Sequence, residues 1–235
     1  MQFSIVIPTL NEARDLPGCV EHLRAHIHPD TDYEIVVADC GSTDGTPEIA
    51  RGLNCRRVEE NPEQPCRAAG LNLGADHARG AVLVFLAADT LVPRNFDRAI
   101  AKALGNSRVL GGGFHMRFIE RTVGLAIIAF INYVRYHLFR DYYGDQVLFV
   151  RADALRAVGG CPRVEILESA FLCRELRKRG KLKLLRPWVQ TSGRRFLEGG
   201  TARVFAKDVK IWLLDLLGVN VNSYGREYWA HNANK

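Results

Sequence analysis

The sequence predicts an α/β protein with a mostly parallel sheet flanked by helices. Short apolar runs recur along the first half of the chain, and a segment of helical periodicity separates each run from the next. This alternation is typical of doubly wound sheets with right-handed crossovers. The apolar runs also stop at polar loops that contain glycine, and parallel sheets commonly bind a ligand with such loops at their carboxyl edge.

The first half of the chain is predicted to alternate four strands with four helices. Residues 3–7 (FSIVI) form a run of the length of a buried parallel strand, and Leu16, Val20 and Leu23 recur at helical spacing within residues 13–26. The same reasoning predicts further strands at 33–38, 55–58 and 81–86, further helices at 47–53, 67–78 and 93–104, and a polar, proline-bearing loop at 59–65.

The second half of the chain departs from this alternation after residue 109. The glycine run at 111–114 (GGGF) predicts a strand start or a close approach of the backbone to a ligand. Residues 122–139 predict a long apolar helix, but Arg135 and His137 interrupt it and make a membrane span costly. That helix is expected to pack on the sheet or to lie on a membrane surface. Further helices are predicted at 154–159, 165–180 and 201–217, and strands within 141–153 and near 189–192, with residues 182–185 leading into the last of these strands.

Length and composition indicate one ordinary globular domain over residues 1–235. Hydrophobic residues make up 47% and charged residues 25% of the chain, and the formal net charge is +6. The positive residues are dispersed without an interleaved aromatic stripe, so nucleic acid is not expected as a partner. Six cysteines without a C-x-x-C pair, and no signal peptide, predict free thiols in the cytoplasm.

The loop after the second predicted strand carries a candidate binding carboxylate. Asp39 ends that strand, and its carboxylate can accept two hydrogen bonds from the edge of a base or a ribose. Gly41 and Gly45 permit backbone conformations that other residues disfavour. The alternative is an Asx turn followed by a helix cap, since S-T-D-G-T is good turn chemistry. The polar P-T-x-N-E segment after the first strand favours the binding interpretation.

Four segments together resemble family 2 glycosyltransferases of the GT-A fold, which has a Rossmann-like sheet. IVIPTLNE, EIVVADCGSTDGT, RAAGLNLG and FLAADT stand in that family's order and approximate spacing, within residues 2–95. Two later segments, YGDQVLFVR and ILESAFLCRELRKRG, resemble the bacterial subgroup of rSAM- or arsenosugar-associated glycosyltransferases. The resemblance implies that residues 1–106 bind a nucleotide-sugar and that 107–235, with its C-terminal helices, form the acceptor side.

The resemblance also implies the residues of the donor site. The donor is expected to be a UDP- or GDP-sugar, and Asp39 would bind its base. The remaining positions that match the family's nucleotide-sugar pocket are Pro8, Thr9, Asn11, Glu12, Ser42, Asp44, Arg67 and Asn72. Of these, Arg67 and Asn72 would face the diphosphate or the sugar.

The family's D-x-D motif implies a metal site at Asp89, with Mg²⁺ or Mn²⁺ as the ion. A divalent cation held there would neutralise the charge of the diphosphate leaving group. Ala87 stands where the first carboxylate of the motif is usual. One carboxylate with diphosphate oxygens and water can still hold Mg²⁺, which keeps several waters, so weak affinity for free metal is expected.

Inversion of the sugar's configuration requires a base that deprotonates the acceptor hydroxyl. In the family this base is often the Asp of a Glu-Asp pair at the start of a helix. The matching pair here is Glu168-Ser169, so a Ser stands at the position of the usual base. Glu168 is therefore one candidate base, and Asp145 of the GDQ segment is another. Alternatively, Glu168 is a first-turn carboxylate that the helix dipole favours.

Three functions remain open on the sequence. The first is an inverting, metal-assisted glycosyltransferase with an unidentified acceptor, in peripheral contact with the inner face of a membrane. The second is a catalytically degenerate regulatory protein that binds a nucleotide-sugar without turnover, because Ala87 and Ser169 replace usual carboxylates. The third is a nucleotidyltransferase, which ranks last because PTLNEARDL lacks the glycine cluster typical of that class.

Overall fold

The computed structural model describes residues 1–60 and 66–225. The strands are β1 (Phe3–Thr9), β2 (Tyr33–Asp39), β3 (Arg56–Glu59), β4 (Val82–Phe85), β5 (Thr90–Leu91), β6 (Val109–Phe118), β7 (Leu148–Arg151) and β8 (Lys181–Thr191). The helices are α1 (Leu16–His26), α2 (Thr46–Gly52), α3 (Arg67–His77), α4 (Phe96–Leu104), α5 (Val123–Phe139), α6 (Ala152–Ala157), α7 (Glu168–Arg177), α8 (Arg194–Glu198) and α9 (Thr201–Leu216). Most of the loop predicted at 59–65 lies outside the described residues.

The strands form a single mixed sheet in the order β3-β2-β1-β4-β7-β6-β8-β5. Strands β3, β2, β1 and β4 are parallel, and β6 is parallel to β8. Strand β7 runs antiparallel between β4 and β6, and β5 pairs antiparallel with β8. The predicted class, a mostly parallel α/β sheet flanked by helices, is confirmed. The uniform doubly wound order holds only for the first four strands.

Both faces of the sheet are covered, which explains why its central strands are apolar on both sides. In β1, Phe3, Ile5 and Ile7 pack with the helices α1, α4 and α5, whereas Val6 points to the opposite face. That opposite face is covered by residues of α3, α6 and α7 such as Leu71, Leu155 and Leu172. This two-layer burial leaves the carboxyl ends of β1, β2 and β4 as an open edge of the sheet.

Three local expectations differ from the structure. The late strand predicted near 189–192 is longer than expected: β8 begins at Lys181 and runs beside β6. The helix predicted from residue 165 begins at Glu168, because Leu167 before it adopts a left-handed φ of 61°. The glycine run 111–113 lies inside β6 and not at the start of a strand, and it permits a close approach of β8, since a Cβ at Gly112 would collide with the carbonyl of Lys183.

The long apolar helix α5 packs one side against the sheet, as predicted. Thr122 caps it, since its hydroxyl accepts a hydrogen bond from the Leu125 amide at 3.2 Å. Leu125, Ile128 and Tyr136 are its buried residues. Among the helices of residues 1–60 and 66–225, none has the length and hydropathy that crossing a membrane requires.

Candidate active site

A cavity of about 620 Å³ lies at the open edge of the sheet, between the ends of β1 and β4 and the helices α5, α7, α8 and α9. It brings together seven of the residues that the sequence singled out, from segments far apart in the chain. They are Pro8, Thr9, Glu12, Arg67, Asp89, Asp145 and Glu168. The other five, Asn11, Asp39, Ser42, Asp44 and Asn72, are not among the residues that line it.

Asp39 joins the loops that follow β1 and β2. Its buried carboxylate accepts hydrogen bonds from the Thr9 hydroxyl at 2.9 Å, the Ser42 hydroxyl at 2.5 Å and the Ser42 amide at 3.1 Å. Three protein donors thus already occupy this carboxylate. Its neighbour Cys40 is the residue of this segment that lines the cavity. Base binding by Asp39 stays a prediction, and its observed contacts are those of a loop anchor.

Asn11, Ser42 and Asp44 continue the same bridge between loops. The Asn11 amide donates to the Ser42 hydroxyl at 2.9 Å, and the Asn11 side-chain oxygen accepts from the Thr43 amide at 2.9 Å. Asp44 accepts from the Ala13 amide at 3.0 Å. These contacts hold the two loops in one conformation, so they shape the cavity without lining it.

Asp44 should contribute stability that depends on pH. Burial acts to raise its pKa, but hydrogen bonds from Thr46 and Ala13 outweigh burial, and the pKa lies below its ordinary value. A depressed pKa means that the stabilisation is present above the unfolded-state pKa and is lost as pH falls through the folded-state pKa. We expect Asp44→Asn to lower the free energy of unfolding by about 2 kcal/mol at neutral pH.

The measurement for Asp44 is urea denaturation of the wild type and Asp44→Asn at neutral and acidic pH. The difference between their unfolding free energies should shrink as pH falls below the ordinary Asp value. Asp76→Asn, at an exposed position of α3, is the matched control. A difference that is constant with pH would contradict a role for the ionised Asp44 carboxylate.

Asn72 lies on α3, and its side chain forms hydrogen bonds with the loop before α7. Its side-chain amide donates to the Cys161 carbonyl at 2.8 Å, and its side-chain oxygen accepts from the Cys161 amide at 2.8 Å. Both ends of the Asn72 amide are therefore used within the fold. The expectation that Asn72 faces the diphosphate or sugar has no support in these contacts.

Asp89 follows β4 and lines the cavity at its floor. Burial raises the pKa of Asp89, and the nearby charges of Arg67 and Arg194 act in the opposite direction. The Thr90 hydroxyl donates to its carboxylate at a long 3.3 Å. A partly buried carboxylate with one weak hydrogen bond retains acceptor capacity for a cation or for a ligand hydroxyl.

The donor set around Asp89 fits a metal only in part. No group of three or more His, Cys, Asp or Glu side chains that could hold an ion is found within residues 1–60 and 66–225. Asp89 is a hard oxygen ligand of the kind that Mg²⁺ and Mn²⁺ prefer. These residues fit an ion that is shared with the oxygens of a bound diphosphate, and they do not form a complete protein cage.

Arg67 connects the carboxylates of the site. Its Nε lies 3.4 Å from Glu168 Oε1, and its guanidinium donates to the Gly144 carbonyl at 3.1 Å. Glu168 is buried as the first residue of α7, and it also accepts from the Ser169 hydroxyl at 3.0 Å. A side chain at Gly144 would collide with this guanidinium, so the glycine is what permits the contact.

Asp145 presents an unsatisfied oxygen at the cavity. Its Oδ1 atom is shielded from solvent and has no hydrogen-bond partner among the described residues. Burial raises the pKa of Asp145, although Arg135 and Arg67 act to lower it. An unpaired buried carboxylate oxygen is costly, and such groups commonly mark a place where a ligand binds.

Sequence reasoning missed Arg135 and Tyr143, which both line the cavity. The Arg135 guanidinium stacks 4.0 Å from the centre of the Tyr143 ring and 5.0 Å from that of Tyr136. The Tyr143 hydroxyl is another buried atom without a hydrogen-bond partner in the described part of the chain. The signal for Arg135 in the sequence is a single Arg inside an otherwise apolar helix, which by itself argues only against a membrane span.

The pair Arg194-Arg195 lies in α8 and is engaged in ion pairs. Arg194 contacts Asp15 at 2.8 Å, and Arg195 donates to Asp208 at 3.1 Å. Arg195 lines the cavity and Arg194 does not. Of this pair, only Arg195 could meet a phosphate in the cavity, in competition with Asp208.

Comparison with known proteins identifies relatives of the chain. The model of the family described as Glycosyl transferase family 2 matches residues 4–158. Glycosyltransferase AglE of Haloferax volcanii is 30% identical over 170 residues, which cover 68% of this chain and 55% of that protein. The PGL/p-HBAD biosynthesis glycosyltransferase of Mycobacterium bovis is 38% identical over 91 residues, 37% of this chain and 35% of that protein. The chain therefore spans about half or less of the length of these curated relatives.

Solved structures share the fold at low sequence identity. Mannosyltransferase PcManGT from Pyrobaculum calidifontis, in complex with GDP-Man and Mn²⁺, is 22% identical with a TM-score of 0.65, over 81% of this chain and 56% of that one. Glucosyl-3-phosphoglycerate synthase from Mycobacterium tuberculosis, in complex with Mn²⁺, UDP and glucosyl-3-phosphoglycerate, is 19% identical with a TM-score of 0.66. That match covers 93% of this chain and 80% of the other. These similarities confirm the predicted GT-A fold.

Proposed function

The chain belongs to glycosyl transferase family 2, and from that premise we propose that it is an inverting glycosyltransferase. It moves a sugar from a UDP- or GDP-linked donor to an acceptor hydroxyl, with Mg²⁺ or Mn²⁺ bound beside Asp89. The observation that carries the proposal is the convergence of Arg67, Asp89, Asp145 and Glu168 on one cavity. This cavity lies at the carboxyl edge of the parallel strands, where such sheets bind nucleotides.

The first 106 residues supply the donor side of the proposed site. Pro8, Thr9 and Glu12 line the cavity at the end of β1, and the hydrogen bonds of Asp39 and Asp44 hold the loops around them. Preorganised loops reduce the entropy that donor binding must overcome. Arg67 adds a positive charge where a diphosphate would lie, in keeping with the phosphate role that the sequence suggests.

A divalent metal would be held by Asp89 together with diphosphate oxygens. When bound, it would supply charge neutralisation for the departing diphosphate. The Mn²⁺ in the two solved structures described above supports this choice of ion, since both proteins share the fold. The chain's own contribution is the partly buried carboxylate of Asp89. Burial raises its pKa, so the ionised form is disfavoured unless a bound metal ion compensates for the burial.

Asp145 is the proposed base, with Glu168 as its alternative. Asp145 lines the cavity, where its carboxylate can take a proton from the acceptor hydroxyl, and its raised pKa makes it a stronger base than an ordinary Asp. The acceptor oxygen then bonds to the anomeric carbon as the bond from that carbon to the diphosphate oxygen breaks. Glu168 is paired with Arg67 and bonded by Ser169, so it is better suited to hold Arg67 in place.

The finer assignments belong to the same proposal. The acceptor side comprises 107–235, and the segments Tyr143 to Arg151 and Ile166 to Gly180 support membership of the rSAM- or arsenosugar-associated subgroup. A cytoplasmic location is supported by the six cysteines, which are all free thiols.

The second candidate is a regulatory protein that binds a nucleotide-sugar without turnover. Two observations favour it: Ala87 and Ser169 lack the usual carboxylates, and the described residues form no complete metal cage. Such a protein would bind the donor through the same cavity, so a binding measurement alone does not separate the two candidates.

The test combines donor binding with turnover. We expect one of UDP-glucose, UDP-N-acetylglucosamine or GDP-mannose, added with Mn²⁺, to raise the melting temperature, because a ligand of the native state stabilises it. The same donor should be slowly hydrolysed to its nucleoside diphosphate. A raised melting temperature without hydrolysis or transfer would favour the regulatory candidate. No shift with any of the donors would contradict both.

A further inference from the structure

The outer side of α5 carries an apolar stripe that nothing in the described structure covers. Its residues are Val123, Ile127, Phe130, Ile131, Val134 and Leu138, and they are between 40% and 79% exposed. At the advance of about 100° per residue in an α-helix, they cover one face roughly 100° wide. The opposite face holds the buried Leu125, Ile128 and Tyr136. Exposed apolar residues ordered along one face typically mark an interaction surface.

The apolar stripe borders the mouth of the cavity. Ile131 belongs to the stripe and also lines the cavity. Its neighbours Ile128 and Asn132, one turn or less away, line the cavity but do not belong to the stripe. Next to α5, α8 and α9 the cavity is lined by several apolar side chains beside the polar ones, namely Phe118, Phe196, Phe205, Val209 and Trp212. A surface that covers the stripe would therefore also lie against the open end of the site.

The end of α9 extends the exposed apolar area. Leu213, Leu216, Leu217 and Val219 are exposed there, and the Phe139 ring of α5 contacts the Trp212 ring of α9 with a centroid distance of 5.2 Å. Trp188 of β8 is also exposed beside α5, where it lies 6.2 Å from the Tyr133 ring. Exposed Trp next to an apolar stripe is typical of protein surfaces at the lipid–water interface.

Positive charges flank the apolar stripe without acidic partners on the same segment. Arg121 precedes α5, Arg140 follows it, and both are exposed, whereas residues 121–140 contain no Asp or Glu. The two acids that adjoin this segment are engaged elsewhere: Glu120 accepts hydrogen bonds from Ser192 and Gly193, and Asp141 pairs with Arg174 and Arg177. The carboxylates of α9 that lie nearest, Asp208 and Asp215, are paired with Arg195 and Arg174. The charge around the stripe therefore complements an anionic surface. Two copies facing each other through the stripe would instead bring like charges together.

We propose that the apolar stripe of α5, with the exposed end of α9, docks on an anionic lipid bilayer and holds the cavity mouth at its surface. The apolar side chains enter the region between head groups and acyl chains, and Arg121 and Arg140 contact the anionic head groups. An acceptor carried on a lipid could then enter the cavity directly from the bilayer. Only this last consequence rests on the proposed function, because docking itself requires no turnover.

The test is sedimentation of the protein with lipid vesicles. We expect the wild type to sediment with vesicles of phosphatidylcholine and phosphatidylglycerol, and less with phosphatidylcholine alone or at high salt. Phe130→Glu and Leu138→Glu should each reduce the bound fraction about tenfold or more, since a charge replaces an inserted apolar group. Both positions are exposed, at 66% and 70%, and neither lines the cavity, so folding should be preserved.

His77→Glu is the matched control for the vesicle experiment. His77 is exposed on α3, which covers the other face of the sheet, and the substitution introduces the same charge. The control should bind vesicles like the wild type. Wild-type protein that stays in the supernatant with both lipid mixtures would overturn the proposal. So would a concentration-dependent dimer that Phe130→Glu abolishes in the absence of vesicle binding, since the stripe would then pair with a second copy.

Donor hydrolysis without vesicles separates this proposal from the proposed function. Phe130→Glu should hydrolyse the donor at the wild-type rate, because Phe130 lies outside the cavity. If vesicle binding fails while hydrolysis persists, docking is wrong and the proposed glycosyltransferase stands. If vesicle binding occurs without hydrolysis, docking stands and the catalytic assignment is wrong.

Discussion

Asp89→Asn is expected to lower the rate of sugar transfer about 10³-fold or more. The substitution keeps the size of the side chain but removes the charge that would hold the metal against the diphosphate. The variant should also bind the donor more weakly when Mn²⁺ is present, with little change in its affinity for the nucleoside alone. Transfer and donor hydrolysis by the purified variant, beside calorimetric titration with donor and Mn²⁺, provide the measurement.

The stability of Asp89→Asn should move in the opposite direction from its activity. Burial raises the pKa of Asp89, so the ionised carboxylate makes the fold less stable at neutral pH than the neutral acid would. We therefore expect the melting temperature of the variant to be equal to or above that of the wild type. Asp76→Asn, at an exposed position, is the control and should alter neither activity nor stability. Transfer by Asp89→Asn at a rate close to wild type would refute the metal assignment.

Asp145→Asn is expected to lower kcat by about 10²- to 10⁴-fold, the usual effect of losing a general base. Donor binding should change little, since the amide replaces the carboxylate at the same size. In the wild type the rate should fall as pH falls through the pKa of Asp145, because the base must be deprotonated. Burial raises that pKa, so this acidic limb should lie above the ordinary Asp value. A pH–rate profile of the wild type and steady-state kinetics of the variant check these expectations.

Glu168→Gln is the comparison that assigns the base. Glu168 contacts Arg67 at 3.4 Å and accepts a hydrogen bond from Ser169 at 3.0 Å, so its loss should mainly disturb the position of Arg67. The expected result is a higher KM for the donor and a smaller fall in kcat than Asp145→Asn produces. A larger fall in kcat for Glu168→Gln, with the acidic limb of the pH profile unchanged in Asp145→Asn, would exchange the two roles.

The first half of the chain was predictable because its signals are local. The apolar runs that became β1, β2 and β4 are short and buried on both sides, and the polar loops follow directly after them in the sequence. The spacing of these segments also carries the family resemblance. The roles of Asp44 and Asn72 were not predictable in the same way, because Asp44 bonds across two loops and Asn72 bonds to Cys161, 89 positions away.

The second half of the chain was less predictable because its contacts join residues that are far apart in the sequence. Strand β7 is inserted antiparallel between β4 and β6, and no periodicity within residues 148–151 specifies that neighbour. Arg135 was visible as a cation in an apolar helix, yet its partners Tyr143 and Asp145 lie on the segment after the helix. A side chain's partners across such distances follow from packing, which one sequence does not display.

By itself, the sequence determined the α/β class, the parallel order of the first strands and the candidate residues Arg67, Asp89, Asp145 and Glu168. The class and the strand order follow from hydrophobic periodicity, which acts over a few positions, whereas the four candidate residues follow from the resemblance of their segments to the family's motifs. The tertiary structure decided which candidates meet in one cavity, and which of them, such as Asp44, are used to hold loops together. It also decided that α5 buries only one of its two apolar faces, because burial depends on what packs against a helix and not on its composition.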